Sequence, residues 1–171
     1  MLSIRLFLSI SIIISGLLIP QNLQIPVEGA TINDWNPNSY WAYPWGKSVV
    51  HKGVDIFANK GTAVLSATDG YIISSGYSNV TGNYMLILGP KWRVHYYAHL
   101  HEISDRKSRF VSKGEKIGTV GDSGNAKGKP CHLHYVIATL IPYFWLADDS
   151  VQGYKKMIYL NPIPYMLEAT N

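Results

Sequence analysis

A chain of 171 residues, 47% hydrophobic and 12% aromatic, buries one core and leaves little for a second domain. The formal charge of +4 favours an anionic surface or polymer, but Lys and Arg are scattered rather than clustered, which excludes a nucleic-acid-binding face and leaves nucleic acid out as a partner. A single cysteine, Cys131, excludes an internal disulfide.

The first element is an apolar run, Leu6 to Ile19, preceded by Arg5 and ended by Pro20. Residues 1–24 are expected to be a signal peptide or an uncleaved N-terminal anchor, with a membrane tether through residues 6–19 in the second case. Gly16 and Ala30 are candidate cleavage positions, with Ile14 and Glu28 as poorly fitting partners two residues upstream. The remainder, residues 25–171, is expected to be one exported domain in the periplasm or cell envelope. No cysteine directly follows the run, which argues against lipid attachment.

Gln21 to Ser48 is irregular and holds Trp35, Tyr40, Trp41, Tyr43 and Trp45. These aromatics suit a loop packed over one end of a sheet, and equally a wall of a substrate groove. Val49 to Phe57 carries His51-x-x-x-Asp55. Gly53, Val54 and Ile56 argue against a helix there. In a fully extended segment the two side chains lie roughly 13 Å apart, so a bend at Gly53 is needed to bring them together.

From Gly61 onward short β-favouring runs alternate with turn residues. The strands expected are 62–68, 71–75, 84–88, 92–100 and 117–120. Asp69-Gly70, Asn79 to Asn83, Gly89-Pro90 and Lys113 to Lys116 supply turns, and His101 to Ser112 reads as an exposed loop. The strand Arg93 to His101 carries His95, His99 and His101, which share a face with Tyr97 if the strand is regular. Gly121 to Pro130 is expected to be a long flexible loop. Its Gly121-Asp122-Ser123-Gly124 tetrad is the nucleophile signature of chymotrypsin-type serine proteases, but the chain is too short for two β-barrels and a glycine-rich loop explains it.

Pro130 to Ile137 is the stretch with most chemistry. In a strand, His132 and His134 face the same side, roughly 6–7 Å apart. Parity turns Cys131 to the opposite face, as a small buried hydrophobe. After Leu140, from about residue 141, the chain is a tail that packs back over the core. The fold class expected is mainly β: a compact antiparallel sheet or sandwich with long loops forming a groove.

A catalytic zinc needs three protein ligands and an open position. His51, Asp55 and one member of the His132/His134 pair supply three. The metal would bring the pKa of a bound water toward neutrality and polarise a carbonyl. With no His-Glu-x-x-His helix, the base or proton shuttle must be a histidine, the spare member of the pair or His99.

His51-Lys-Gly-Val-Asp55, Tyr97-Ala-His99-Leu100 and His132-Leu-His134 stand in the order and spacing of the lysostaphin-type (LytM-like) zinc metallopeptidases, and the chain resembles that family over roughly residues 26–140. Gly61-Thr62 and Lys113 to Gly121 are similar to the family too, and Lys129-Pro130-Cys131 departs from it. The resemblance implies one Zn2+ held by His51, Asp55 and His134. It implies that His99 and His132 orient the water and stabilise the oxyanion. It implies peptidoglycan stems or cross-links as substrate, hydrolysed by a monomeric endopeptidase. A tyrosine upstream of the first motif assists in some members, with Tyr40 and Tyr43 the candidates. Relatives that have lost ligands act as non-catalytic wall-binding or amidase-activating modules, whereas this chain keeps all five site residues. The Lys113 to Gly121 hairpin also resembles biotinyl/lipoyl carriers, which have no use for clustered histidines.

Overall fold

The computed structural model describes residues 2–168. Nine strands form one hydrogen-bonded antiparallel sheet: β1 (Val54–Phe57), β2 (Ala63–Leu65), β3 (Gly70–Ser78), β4 (Gly82–Gly89), β5 (Arg93–Ile103), β6 (Phe110–Val111), β7 (Lys116–Val120), β8 (His132–Thr139) and β9 (Tyr159–Leu160). The main path runs β1-β8-β5-β4-β3-β6, with β2 and β7 joined through the far end of β5, and β9 on the far end of β8. The fold is mainly β, as the runs of Val, Ile and Tyr between Gly and Pro turns require. It is not a simple meander, because β8 inserts between β1 and β5.

Two helices complete the chain, α1 (Leu2–Leu18) and α2 (Pro162–Glu168). No helix among the described residues is long and apolar enough to cross a membrane. The segment after α1 belongs to the body. Leu23 and Val27 lie in the core, Val27 bridges Val64 of β2, and Gln24 and Glu28 donate backbone hydrogen bonds to the carbonyls of Ala67 and Ala63. The tail packs back as expected, with Leu160, Ile163 and Met166 in the core.

The sheet has one apolar face. Tyr97 pairs with Tyr135, and His95 with Ile137, all fully buried. Val54 and Ile56 of β1 are buried too. The opposite face of the central strands carries Asp55, Ala98 and His134, which stand side by side in register across β1, β8 and β5.

Three local expectations are corrected. First, His95 and His99 do not share a face. Two residues of β5, Ala98 and His99, oppose the single Tyr84 of β4. This bulge places His99 at a left-handed φ of 63°, and it inverts the side-chain alternation beyond that point. His95 therefore points into the core while His99 turns to the opposite face. Secondly, β5 extends to Ile103 and Phe110–Val111 pairs with β3, so the 101–112 region is only partly loop. Thirdly, the 121–130 loop is pinned rather than free. Gly121 bridges His132, Asn125 donates to the Val80 carbonyl, and Ala126 is buried.

Beneath β8 lies a buried polar group. His95 Nε2 accepts a hydrogen bond from Gln21 Nε2 at 3.0 Å, so its Nδ1 is the protonated nitrogen and meets the Tyr135 hydroxyl at 2.6 Å. Arg93 Nη1 donates to Gln21 Oε1 at 2.6 Å. Burial, helped by the Arg93 charge, pushes the pKa of His95 down to about 3. The folded state therefore holds His95 neutral, while the unfolded chain protonates it below about pH 6.5. The unfolded state binds more protons between those values, so stability falls as pH drops from about 6.5 towards 3, by at most ~1.4 kcal/mol per pH unit from this residue. Urea titrations across that window are expected to show this slope, and His95→Phe is expected to flatten it while lowering the plateau above pH 7.

Candidate metal centre

Register does much of the assembly. Asp55 is the direct cross-strand partner of His134, so a carboxylate and an imidazole face each other without any bend. His134 Nδ1 lies 2.7 Å from Asp55 Oδ1. His51 enters from the loop before β1. Gly53 lets that loop lie close against β8: a Cβ there would sit 2.4 Å from the Tyr135 carbonyl oxygen. The bend anticipated at this glycine is therefore a close backbone approach. His51 Nε2 arrives 3.1 Å from Asp55 Oδ1 and 3.1 Å from His134 Nδ1.

The irregular segment before β1 aims His51. Trp41 and Ala42 exchange backbone hydrogen bonds with His51, and its Nδ1–H donates to the Ser39 carbonyl at 2.9 Å. The indole of Trp45 stacks on the imidazole, with ring centroids 4.1 Å apart. The aromatic cluster thus divides. Trp35 and Trp41 pack inside, Tyr43 and Trp45 are exposed, and Trp45 forms a wall of the site. The Tyr40 hydroxyl donates to the Tyr159 carbonyl at 2.6 Å, which commits it to the fold.

These contacts leave a definite chemical demand. With Nδ1–H given to Ser39, a neutral His51 presents a lone pair at Nε2. That lone pair faces the Asp55 oxygen and the His134 Nδ1, a repulsive arrangement unless a proton or cation lies between them. Burial opposes ionisation of Asp55, but His134 and His51 at hydrogen-bonding distance, and their charge, hold its carboxyl far below the usual carboxylate range. Burial also lowers the pKa of His134, against the opposing pull of Asp55. A carboxylate and two imidazole nitrogens within hydrogen-bonding distance of one another fit a divalent cation. Zinc with such ligands at 2.0–2.2 Å would set tetrahedral edges of about 3.3 Å, a few tenths of an ångström wider than the distances here. His51, Asp55 and His134 also form the one group of three or more His, Cys, Asp or Glu side chains suited to a metal among the described residues.

His99 and His132 stand against this trio. Their rings meet edge to face at 5.1 Å, and His99 lies 5.9 Å from the His134 ring. Each has its Nδ1–H tied to a backbone carbonyl, His99 to Ser123 at 2.9 Å and His132 to Pro130 at 2.8 Å. In its neutral form each therefore keeps a lone pair at Nε2. Burial and the neighbouring His134 lower the pKa of His99 to about 4, so it is neutral at pH 7. The five histidine and aspartate positions singled out from the sequence are all brought together. His101, by contrast, is exposed beside Glu102 and lies outside the group.

One contributor escaped sequence reading. Ser123, in the tetrad set aside as a loop, accepts the His99 hydrogen bond on its carbonyl. Its hydroxyl donates to the Leu100 carbonyl at 2.6 Å and accepts from the Asn83 amide at 2.9 Å. Gly82, with φ of 63°, leaves the space, since a Cβ there would overlap Ser123. The Gly-Asp-Ser-Gly tetrad thus positions a histidine rather than supplying a nucleophile. Beyond His132, whose ring packs on Phe57, a shallow open depression of about 540 Å³ is bordered by Asp34, Phe57, Asn59 and Lys60.

A mainly β chain with a His-Asp-His cluster on one sheet face has the architecture of a β-sheet metallopeptidase. The chain belongs to peptidase family M23, whose model matches residues 49–142. It is 34% identical to lysostaphin of Staphylococcus staphylolyticus over 133 residues, covering 76% of this chain and 25% of that protein. It is 34% identical to the peptidoglycan DD-endopeptidase ShyC of Vibrio cholerae over 90 residues, covering 53% of this chain and 20% of that one. The chain thus spans only a fifth to a quarter of the length of these relatives. Among solved structures, the catalytic domain of lysostaphin from Staphylococcus simulans superposes with a TM-score of 0.59 at 26% identity, over 79% of this chain and 94% of that one.

Because Gly53 is where the loop lies closest to β8, Gly53→Ala is expected to destabilise the protein by roughly 1–3 kcal/mol. It should also weaken metal binding by displacing His51. Thermal unfolding and zinc titration of the variant check both effects.

Proposed function

We propose that this chain is an exported zinc-dependent endopeptidase that hydrolyses peptide bonds in the stems or cross-links of peptidoglycan. The observation that carries the proposal is the convergence of His51, Asp55 and His134 beside two further histidines whose Nδ1 atoms are already tied down. Membership of family M23 and the wall-lytic relatives support the same reading.

In this reading His51, Asp55 and His134 hold the ion. Bound there, zinc would supply Lewis acidity and a water made acidic near neutral pH. Every other part is played by side chains. His99, neutral and fixed through Ser123, offers Nε2 as the proton acceptor for the attacking water. His132, fixed through Pro130, faces the same space. There a proton on its Nε2 would stabilise charge developing on the scissile carbonyl oxygen, while His99 passes the proton it took from the water to the leaving amine. Carbonyl anchors at Ser39, Ser123 and Pro130 set the tautomer and orientation of three rings, a role that governs ligand basicity in metal sites. Trp45 on one side and Phe57 on the other flank the cluster, so a peptide crosses it between two aromatic surfaces. The net charge of +4 suits an anionic wall polymer.

Export follows from the apolar N-terminal run, which serves as a signal peptide or as a tether. The domain proper is proposed to run over residues 25–171.

Zymography on purified cell walls tests the activity: clearing that a chelator abolishes and zinc restores is expected. A wall-binding or activating module would bind walls without clearing them. The ligand assignments are separable from it. Asp55→Ala and His134→Ala are expected to lose bound zinc by elemental analysis. His99→Ala and His132→Ala should keep it and lose roughly 10²–10⁴-fold in turnover. Full turnover by either of the latter two would contradict its assigned role.

A further inference from the structure

α1 is mostly apolar, its serines and Arg5 near the start excepted. From Ile4 on, its large side chains, among them Phe7 at 72% and Leu18 at 74%, are exposed on several sides, and the body covers the side at Gly16. A helix with large apolar side chains on several sides belongs in a core or in lipid, and the body offers it no core. Its seat on the body is specific. The Trp92 indole lies against Gly16, where a Cβ would overlap the ring, and Nε1–H donates to the Ile13 carbonyl at 2.9 Å. Lys91 Nζ donates to the Leu17 carbonyl at 3.2 Å and so neutralises the helix C-terminus.

The turn that holds α1 adjoins a second apolar surface. Leu140 donates its amide to the Trp92 carbonyl at 2.9 Å, and the chain then runs into a short helical turn, 144–146. Leu140, Phe144 and Trp145 are 61%, 71% and 76% exposed. This is not a random scatter of surface hydrophobics. Three large side chains within six residues follow the end of β8, beside an apolar helix, and the Tyr143 ring stacks on Trp145. Tyr143 in turn lies over the Arg93 guanidinium, which roots the turn in the core.

We infer that Leu140, Phe144 and Trp145 form a membrane-docking surface that seats the folded body on a lipid bilayer beside α1. The occupant is a bilayer because Trp92, which seats the exposed apolar helix, also holds the start of this surface at Leu140. Exposed aromatics beside such a helix match the interfacial position that Trp and Tyr rings favour. The geometry also gives orientation. Leu140 lies six residues beyond His134, about 20 Å along β8, and β5 runs back from Arg93 at this end to Ala98 at the site. With the apolar end on the lipid, the His51–Asp55–His134 cluster faces away from it, towards material outside the membrane. The inference rests on reading α1 as a tether, and the test separates the two.

The full chain is mixed with phosphatidylcholine–phosphatidylglycerol vesicles brominated at shallow acyl carbons, and tryptophan fluorescence is compared with that of Trp145→Phe. Trp92 and Trp145 are the two tryptophans at this end, so quenching is expected in the unaltered chain and to fall by roughly half in the variant. Equal quenching in both proteins would leave the tether standing and overturn the docking surface. No quenching in either would overturn the tether and the docking surface together. A Leu140→Ser/Phe144→Ser variant is expected to quench less at Trp145 while keeping its zinc content and wall hydrolysis. Unchanged quenching at Trp145 in that variant would also overturn the proposal.

Discussion

The pairing of β1 with β8 is the constraint on which the rest depends. It sets Asp55 opposite His134 and thereby places a largely buried carboxylate against an imidazole. A buried carboxylate is expensive unless it is neutralised, and here the neutralising groups are the two histidines and the cation they imply. The same register puts Val54, Ile56, Leu133 and Tyr135 on the reverse face, where they are fully buried. Slipping by one residue would turn the carboxylate into the core and Tyr135 into solvent, so the hydrophobic pattern and the site enforce one another.

The second device is the bulge in β5. A regular strand would carry His99 into the core beside Tyr97. One extra residue and a left-handed φ bring it round to the face of His134. That conformation is uncommon for a residue with a Cβ, and it is stabilised by hydrogen bonds on either side. The His99 amide donates to Thr81, and its ring donates to Ser123, itself held by Leu100 and Asn83. A locally unfavourable backbone thus persists at the residue assigned the proton-accepting role, where the surrounding structure over-determines it.

Sequence made some of this readable and concealed the rest for identifiable reasons. His132 and His134 follow from strand parity, and the ligand set follows from His51-x-x-x-Asp55 and the resemblance to metallopeptidases. The insertion of β8 between β1 and β5 was not readable, because pairing across 79 residues between Asp55 and His134 leaves no local trace. The face of His99 was misjudged because parity assumes a regular strand, and nothing in Tyr97-Ala98-His99-Leu100 announces a bulge. Ser123 was passed over because its part is played by a backbone carbonyl, which any residue could supply. Gly82 and Gly124, both at positive φ, are the small residues that permit the close approach around Ser123.

The proposed chemistry requires one divalent ion shared by His51 Nε2, Asp55 and His134 Nδ1. Anomalous diffraction at the zinc edge, from crystals of the zinc-loaded chain, tests this most directly. A single peak about 2.0–2.2 Å from those three ligand atoms, with His99 and His132 uncoordinated beside it, is the expected result. A peak held by His99 or His132 in place of one of the three, or zinc found only at surface positions, would contradict it.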